Sequence, residues 1–259
     1  MSDAETMIRF DRVTKVLGGK PILDGVTYSI ERGETFVIVG PSGAGKSVSL
    51  KHMVRLLTPD DGAVYVGEDC ISEATGHALE QLRERFGYLF QGGALLAWLT
   101  VAENVALPLR EKTTLGEEEI QDRVHEVLKL VELENDGEKH PAEISGGMRK
   151  RAGLARAIVS KPEIVLYDEP TSGLDPVTSR TIDALIERMR DELKVTSVVV
   201  THDLHSALSI GSRIAILYQG KIAEVSTPAA FIESSNEEVQ SFLRSQFITT
   251  RGAWEKTKQ

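Results

Sequence analysis

At 259 residues the chain has the size of one compact domain, or of a core with a small appendage. Hydrophobic residues at 41% and charged ones at 27% match globular averages, which excludes a disordered or fibrous chain. A formal net charge of -9 excludes a general nucleic-acid binder, which needs a basic field for phosphates. It leaves room for one nucleotide held by local backbone N–H groups. The single cysteine, Cys70, has no partner for an internal disulfide, which fits a reducing compartment. No apolar stretch approaches the ~20 residues that span a bilayer. The opening MSDAETMIRF lacks the charged-then-apolar order of a secretory signal. A soluble, cytoplasmic chain is therefore expected, with any membrane role exercised through partners.

In chain order, β-rich stretches come first, at residues 8–13, 27–30 and 35–39, with 63–66 later. The run Thr35-Phe-Val-Ile-Val39 is almost wholly apolar and stops at Gly40, as a strand buried on both faces should. Residues 45–57 read as a helix closed by the turn signal Thr58-Pro-Asp-Asp-Gly62. From about 94 to 160 no strand pattern occurs. Residues 117–133 instead place Ile120, Val124, Val127, Leu128 and Val131 at helical spacing behind an acidic first turn. Further buried strands are predicted at 164–167 and 197–201, with a helix over 176–193 between them. Strands 214–218 and 221–225 form a hairpin around Gln219-Gly220. In the tail, Ser235-x-x-Glu238 resembles a capping box ahead of Val239, Phe242, Leu243 and Phe247 on one helical face. Alternating strands and helices predict an α/β core with a mostly parallel sheet, carrying an inserted helical subdomain at about 92–160. An antiparallel β subdomain is expected at the N-terminal end, and a helical tail over 226–259.

Gly40-Pro41-Ser42-Gly43-Ala44-Gly45-Lys46-Ser47 satisfies G-x-x-x-x-G-K-[ST] between a buried strand and a helix. Such a loop turns its N–H groups inward, and the helix N-terminus adds partial positive charge, so the site suits phosphate. Lys46 should reach the β- and γ-phosphates of ATP, and the Ser47 hydroxyl should ligate Mg²⁺. The loop alone is compatible with a kinase, a GTPase, a helicase or a transport motor. Ile164-Val-Leu-Tyr-Asp168-Glu169 narrows the choice, because it delivers two carboxylates at the C-terminal end of an apolar strand, where open α/β sheets bind ligands. Asp168 suits the Mg²⁺ shell and Glu169 can accept a proton from attacking water.

Ile144-Ser145-Gly146-Gly147-Met148, followed by Arg149-Lys-Arg-Ala-Gly-Leu-Ala-Arg-Ala157, resembles the signature of the ABC ATPases, usually Leu-Ser-Gly-Gly-Gln. Ser145 and the two glycines form a second phosphate nest ahead of a helix, with the Gly147 N–H expected to be exposed. One nucleotide does not need two γ-phosphate cradles. The resolution is a head-to-tail dimer in which each signature closes on the other subunit's ATP. The remaining elements follow the family order. Gln91 resembles the glutamine that contacts the metal or water and links the helical subdomain to the core. Asp175, ending Ser172-Gly-Leu-Asp175, matches the loop that crosses the dimer interface, and His202 matches the switch histidine near the γ-phosphate. Two departures stand out. Leu17 occupies the place of an aromatic residue that stacks on adenine, and Met148 replaces the glutamine.

The resemblance covers residues 7–225. Within the family, four segments look like ATPases of the Mla/Mce type, which move phospholipids or other hydrophobic molecules between membranes. They are Gly45-Lys-Ser-Val-Ser-Leu-Lys-His52, Leu89-Phe-Gln-Gly-Gly-Ala-Leu-Leu96, Val101-Ala-Glu-Asn-Val-Ala-Leu-Pro-Leu-Arg110 and Ser145-Gly-Gly-Met-Arg-Lys-Arg151. The resemblance implies a second copy of the chain and integral membrane permease subunits as partners, at the cytoplasmic face of the inner membrane. A small regulatory subunit and a lipid-shuttle protein are candidate partners. Two other readings stay open: a non-transport ABC ATPase that serves as an assembly factor, and a regulatory protein that senses ATP without turnover.

Overall fold

The structure, a computed structural model, describes residues 5–246 and Ile248. They divide into two compact units, one of residues 75–199 and one of the chain on either side of it.

The first unit opens on a hairpin longer than its apolar pattern indicates. Strands β1 (Thr6–Leu17) and β2 (Lys20–Glu31) pair antiparallel around Gly18-Gly19. Met7, Ile8, Phe10 and Val13 are buried, whereas Val16 and Leu17 at the far end are exposed. Backbone pairing carries the strands past the last residue that faces a core, so periodicity locates only the inner halves. Strand β3 (Thr35–Val39) is buried throughout, as its composition predicts. Helix α1 (Lys46–Met53) ends sooner than the expected residue 57. Arg55 turns left-handed at φ 51, and the N–H groups of Leu56 and Leu57 both return to the Lys51 carbonyl. Strands β4 (Asp61–Val66) and β5 (Asp69–Cys70) complete an antiparallel sheet of order β2-β1-β4-β5.

The second unit begins with helix α2 (Gly76–Glu84) and strand β6 (Phe86–Leu89), neither of which the sequence pattern announces. Both are short, and β6 is interrupted by Gly87. Helices α3 (Val101–Lys112), α4 (Glu117–Leu130) and α5 (Gly146–Ile158) follow, with no strand among residues 90–163. A full capping box of Thr100 and Glu103 starts α3. Buried Asn104 on that helix pins the preceding loop, accepting from Leu96 N at 2.7 Å and donating to Leu96 O at 3.0 Å. Helix α4 buries Ile120, Val124 and Leu128, the stripe its spacing predicts. Strand β7 (Ile164–Asp168) is buried along its whole length and pairs parallel with β6. After helix α6 (Pro176–Leu193), strand β8 (Thr196–Thr201) takes the chain back towards the first unit.

There, helix α7 (Leu204–Ile210) leads into strand β9 (Arg213–Tyr218), parallel to β3, which turns through Gln219 and Gly220 into antiparallel strand β10 (Lys221–Ser226). Helices α8 (Pro228–Ile232) and α9 (Glu237–Ser245) follow. Asn236, not Ser235, caps α9, accepting from Glu238 N at 2.9 Å and Val239 N at 3.2 Å. Its amide reaches N2 and N3 from the residue directly before the helix, which leaves the anticipated capping box no role. Val239 and Leu243 are buried; Phe247 lies outside the described residues. Among the described residues no helix is long and apolar enough to cross a membrane.

The chain is thus α/β with parallel pairing in each unit and an antiparallel sheet at its N-terminal end. Ile38, fully buried in β3, tests that packing. Ile38→Ala is expected to lower the unfolding free energy by about 2–5 kcal/mol, read from a urea titration.

Candidate functional site

The glycine-rich loop leaves β3 at Gly40 and enters α1 at Lys46. Gly40 sits at φ 151, and a Cβ there would lie 2.2 Å from the Leu217 carbonyl oxygen, so no other residue fits without displacing the backbone. Pro41, Ser42 and Gly43 are exposed, while Ala44 and Gly45 are buried. Lys46 is buried too, and its ammonium folds across the loop to donate to the carbonyls of Gly40 at 2.9 Å and Pro41 at 3.2 Å. An ammonium that donates to loop carbonyls at a helix N-terminus is well placed to receive an anion. Ser47, half-buried, follows it on α1.

His202 is exposed directly after β8, where the sequence order places it. Asp203 caps α7 behind it, accepting from His205 N at 2.9 Å and Ser206 N at 3.3 Å. Gln246, after α9, donates its amide to the His202 carbonyl and accepts from Leu204 N at 3.1 Å. Leu17 and Val16 at the hairpin end are 40% and 42% exposed, so an apolar surface, not a ring, stands where an adenine platform is expected.

The second unit gathers the other acidic and signature residues. Asp168 and Glu169 end β7 and are both buried. Glu169 adopts φ 50, a left-handed conformation that costs a non-glycine residue about 1–3 kcal/mol and persists only where the surroundings enforce it. Tyr88 on β6 donates its hydroxyl to an Asp168 carboxylate oxygen at 3.4 Å. Burial and the adjacent carboxylate both raise the Tyr88 pKa, so it stays a phenol and keeps donating. Gln91 is exposed in the loop after β6.

Helix α5 grips that loop. The Lys150 ammonium donates to the Gln91 carbonyl and, at 2.9 Å, to the Glu169 carbonyl. Arg156, two turns on, donates to Gly93 O at 2.8 Å and Ala94 O at 2.7 Å. Lys150 is buried, which lowers its pKa, while the Glu169 and Asp168 carboxylates act in the opposite direction. Motif reading missed Lys150 because a lysine inside a basic helical run reads as a solvated residue. Its position on α5 three residues after Gly147, on the same buried side, is the signal that was available.

At the start of α5, Ser145 is the N-cap, its hydroxyl accepting from Met148 N at 3.2 Å. The backbone N–H of residue 148 makes this bond, so replacing the expected glutamine with methionine leaves it intact. Ser145 and Gly146 are exposed. Gly147 is buried as a residue, and a Cβ there would meet Thr178 Cγ2 at 2.5 Å. The glycine is needed for the close approach of α5 to α6. Thr178 in turn belongs to the cap of α6. Asp175 accepts from Val177 N and Thr178 N at 3.0 Å each, and from the Thr178 hydroxyl at 2.6 Å.

Ser145–Gly147 and Asp175 therefore come together at two adjoining helix N-termini, and Gln91, Asp168 and Glu169 meet around Lys150. The phosphate loop and His202 belong to the other unit. Among the described residues no group of three or more His, Cys, Asp and Glu side chains could hold a metal. The hydroxyl of Ser47, the carboxylate of Asp168 and the amide of Gln91 are oxygen donors suited to Mg²⁺, which keeps water and phosphate oxygens as its other ligands.

A sequence profile described as "ABC transporter" matches residues 23–172. The probable ribonucleotide transport ATP-binding protein mkl of Mycobacterium tuberculosis is 40% identical, over 96% of this chain and 69% of that protein. The methionine import ATP-binding protein MetN 2 of Bacillus cereus is 37% identical, over 92% of this chain and 72% of its own length. Among solved structures, the ATP-binding cassette MJ0796, a dimer in a post-hydrolysis state with ADP and Pi, superimposes with a TM-score of 0.79. It is 35% identical, and the match covers 86% of this chain and 99% of that one. The protein cbiO1 of Clostridium perfringens, part of the transporter complex cbiONQ, gives 0.82 at 26% identity, over 93% and 96%.

The α6 cap makes a pH-dependent prediction. The Thr178 hydroxyl, then the N–H bonds, hold the Asp175 carboxyl below its ordinary value. Its stabilising contribution is therefore complete above the unfolded-state pKa and is lost as pH falls through the lower folded value. Thr178→Val is expected to move the Asp175 pKa upward in a carboxyl ¹³C NMR titration. An unchanged titration would show that the hydroxyl bond is not made in solution.

Proposed function

The chain belongs to the ABC transporter family as an ATP-binding and ATP-hydrolysing subunit, and from that premise we propose that two copies close over two ATP molecules to drive a membrane permease. The observation that carries this reading is the buried acidic pair, Asp168 and Glu169, at the end of an apolar strand and tied to Gln91 through one lysine.

In this proposal Gly40, Pro41, Ser42, Gly43, Ala44, Gly45 and Lys46 hold the triphosphate. Lys46 exchanges its carbonyl partners for phosphate oxygens, adding the attraction of a negative charge to bonds its ammonium already makes charge-assisted. Ser47, Asp168 and Gln91 hold Mg²⁺, which would neutralise charge developing on the β- and γ-phosphates. Ser145 and Gly146, exposed at the start of α5, offer a hydroxyl and N–H groups to the nucleotide of the second copy; Gly147 and Met148 shape that turn from within. Asp175, exposed beside them, lies at the dimer interface. Glu169 accepts a proton from water attacking the γ-phosphorus, and His202 stabilises the transferring phosphoryl group.

Transport adds a docking surface. A groove of about 490 Å³ in the second unit is lined by Tyr88, Phe90, Leu107, Pro108 and Arg156. Phe90 stacks on Tyr88 at 4.1 Å and is 38% exposed, and Trp98, in the loop between β6 and α3, is 73% exposed. A short cytoplasmic helix of the permease would seat its apolar face here. Movement of that helix would reach Asp168 through the Tyr88 hydroxyl, and the loop containing Gln91 is the hinge. The subunit would thus work at the cytoplasmic face of the membrane.

For the cargo we propose a phospholipid or another hydrophobic molecule, on the four segments that resemble Mla/Mce-type ATPases. The names of the relatives favour a second reading, transport of a ribonucleotide or import of methionine. The full complex purified with its permease separates them. Co-purifying phospholipid and ATPase stimulation by lipid vesicles support the first, and stimulation by ribonucleotide or methionine supports the second. A soluble assembly ATPase would bring down no multi-spanning protein, and a nucleotide sensor would release no phosphate.

Two substitutions test the ATP site. Glu169→Gln is expected to bind ATP and dimerise but to lose about 100-fold or more in turnover, because general-base catalysis contributes about 10²–10⁴. Full turnover would remove Glu169 from that role. Ser145→Arg is expected to abolish ATP-dependent dimerisation in light scattering; intact dimers with normal hydrolysis would rule out the shared site.

A further inference from the structure

Lys150 carries no chemical step in the scheme above, yet it is the side chain that joins both ends of it. We propose that Lys150 is a positioning residue for hydrolysis, its ammonium clamping the Gln91 and Glu169 carbonyls so that the water-directing loop and the Glu169 carboxylate keep one geometry. The inference rests on the functional reading of Gln91 and Glu169 just given.

Three observations support it. Lys150 is 5% exposed, and the partners the structure gives it are backbone oxygens, Gln91 O and Glu169 O. A buried ammonium is costly unless it is hydrogen-bonded, so a lysine kept here for packing alone would be replaced without loss by an apolar residue. The two carbonyls are 78 residues apart in sequence (169 − 91); the β6–β7 pairing ends at Leu89 and Tyr167, two residues short of each, and Lys150 continues the tie beyond it. Finally, Glu169 is the residue held at φ 50, and its carbonyl also accepts from Ser172 N at 3.2 Å. Two donors on that oxygen set the orientation of the peptide plane and so the direction in which the Glu169 side chain leaves the strand. Lysine suits the task because one tetrahedral group can serve several acceptors from a long stem, where a planar guanidinium needs a co-planar pair.

The clamp also has a direction. Its stem is on α5, the helix whose first residues are the signature, one turn away from Ser145. Whatever engages Ser145 and Gly146 therefore bears on the same rigid helix that holds Glu169 and, through Arg156, the rest of the loop after Gln91. Binding of nucleotide at one copy's signature is in this way communicated to the catalytic glutamate of that same copy.

The test uses the full-length chain, with steady-state ATPase kinetics, binding of a fluorescent ATP analogue and thermal melts. Lys150→Met keeps the stem length without the donors, and Lys150→Gln restores an amide NH₂. The expected order of kcat is wild type, then Gln, then Met, with Met about tenfold or more below wild type and KM and nucleotide affinity changed by less than about threefold. A merely structural lysine would shift KM and melting together and show no recovery with glutamine; either result overturns the proposal. If Lys150→Met does not melt cooperatively, Lys150→Leu is read in its place: a reduced kcat at unchanged KM with recovery in Lys150→Gln supports the clamp, and wild-type kcat in Lys150→Leu overturns it. Glu169→Gln run alongside separates the two levels. An inactive Glu169→Gln with a fully active Lys150→Met overturns the clamp alone. A Glu169→Gln as active as wild type overturns the functional reading and the clamp with it.

Discussion

Strand β7 is apolar and buried on both faces until it ends in two acids, and those acids are buried as well. Charge at the edge of a core is tolerable only where donors meet it. Here the phenol of Tyr88 donates to Asp168, and the Lys150 ammonium, held on the Glu169 backbone carbonyl, brings a positive charge close to both carboxylates. The arrangement of the second unit follows from that constraint. Tyr88 requires β6 parallel to β7 in the observed register, and Lys150 requires the N-terminal half of α5 to lie against both strand ends.

Helix N-termini are the other recurrent device. The first unit places the N-terminus of α1 beside Lys46; the second brings those of α5 and α6 together through the Gly147–Thr178 contact. Each is held by short-range chemistry: a glycine loop at α1, a serine hydroxyl at α5 and an aspartate at α6. Partial positive charge at such N-termini suits an anion. The fully packed middle of α5 then lets a local contact act over several turns without bending.

Much of this was legible from residue order. The loop from Gly40 to Ser47, the acids after 164–167, the Ser145 turn and the histidine after 197–201 all sit where strand and helix patterns put them. Phosphate and Mg²⁺ chemistry needs particular residues at fixed spacing along the backbone, and fixed spacing is what a sequence displays. Elements without such a requirement were missed or mis-sized. Strand β6 is four residues long with a glycine inside, and the β1–β2 hairpin outruns its apolar half. Helix α1 stops early because Arg55 turns left-handed.

The sequence by itself determined the core strands, the glycine-rich loop and the acidic pair, since each depends on neighbours within a few residues. Only the tertiary structure decided that Gly147 is buried against Thr178, that Asn236 and not Ser235 starts α9, and that Lys150 holds Gln91 and Glu169. Gly147 meets a residue 31 positions on (178 − 147), and Lys150 reaches carbonyls 59 and 19 positions away. Contacts of that range are set by how helices stack on a strand end. No periodicity along the chain records them, because a side chain buried by a distant element carries the same letter as one left in water.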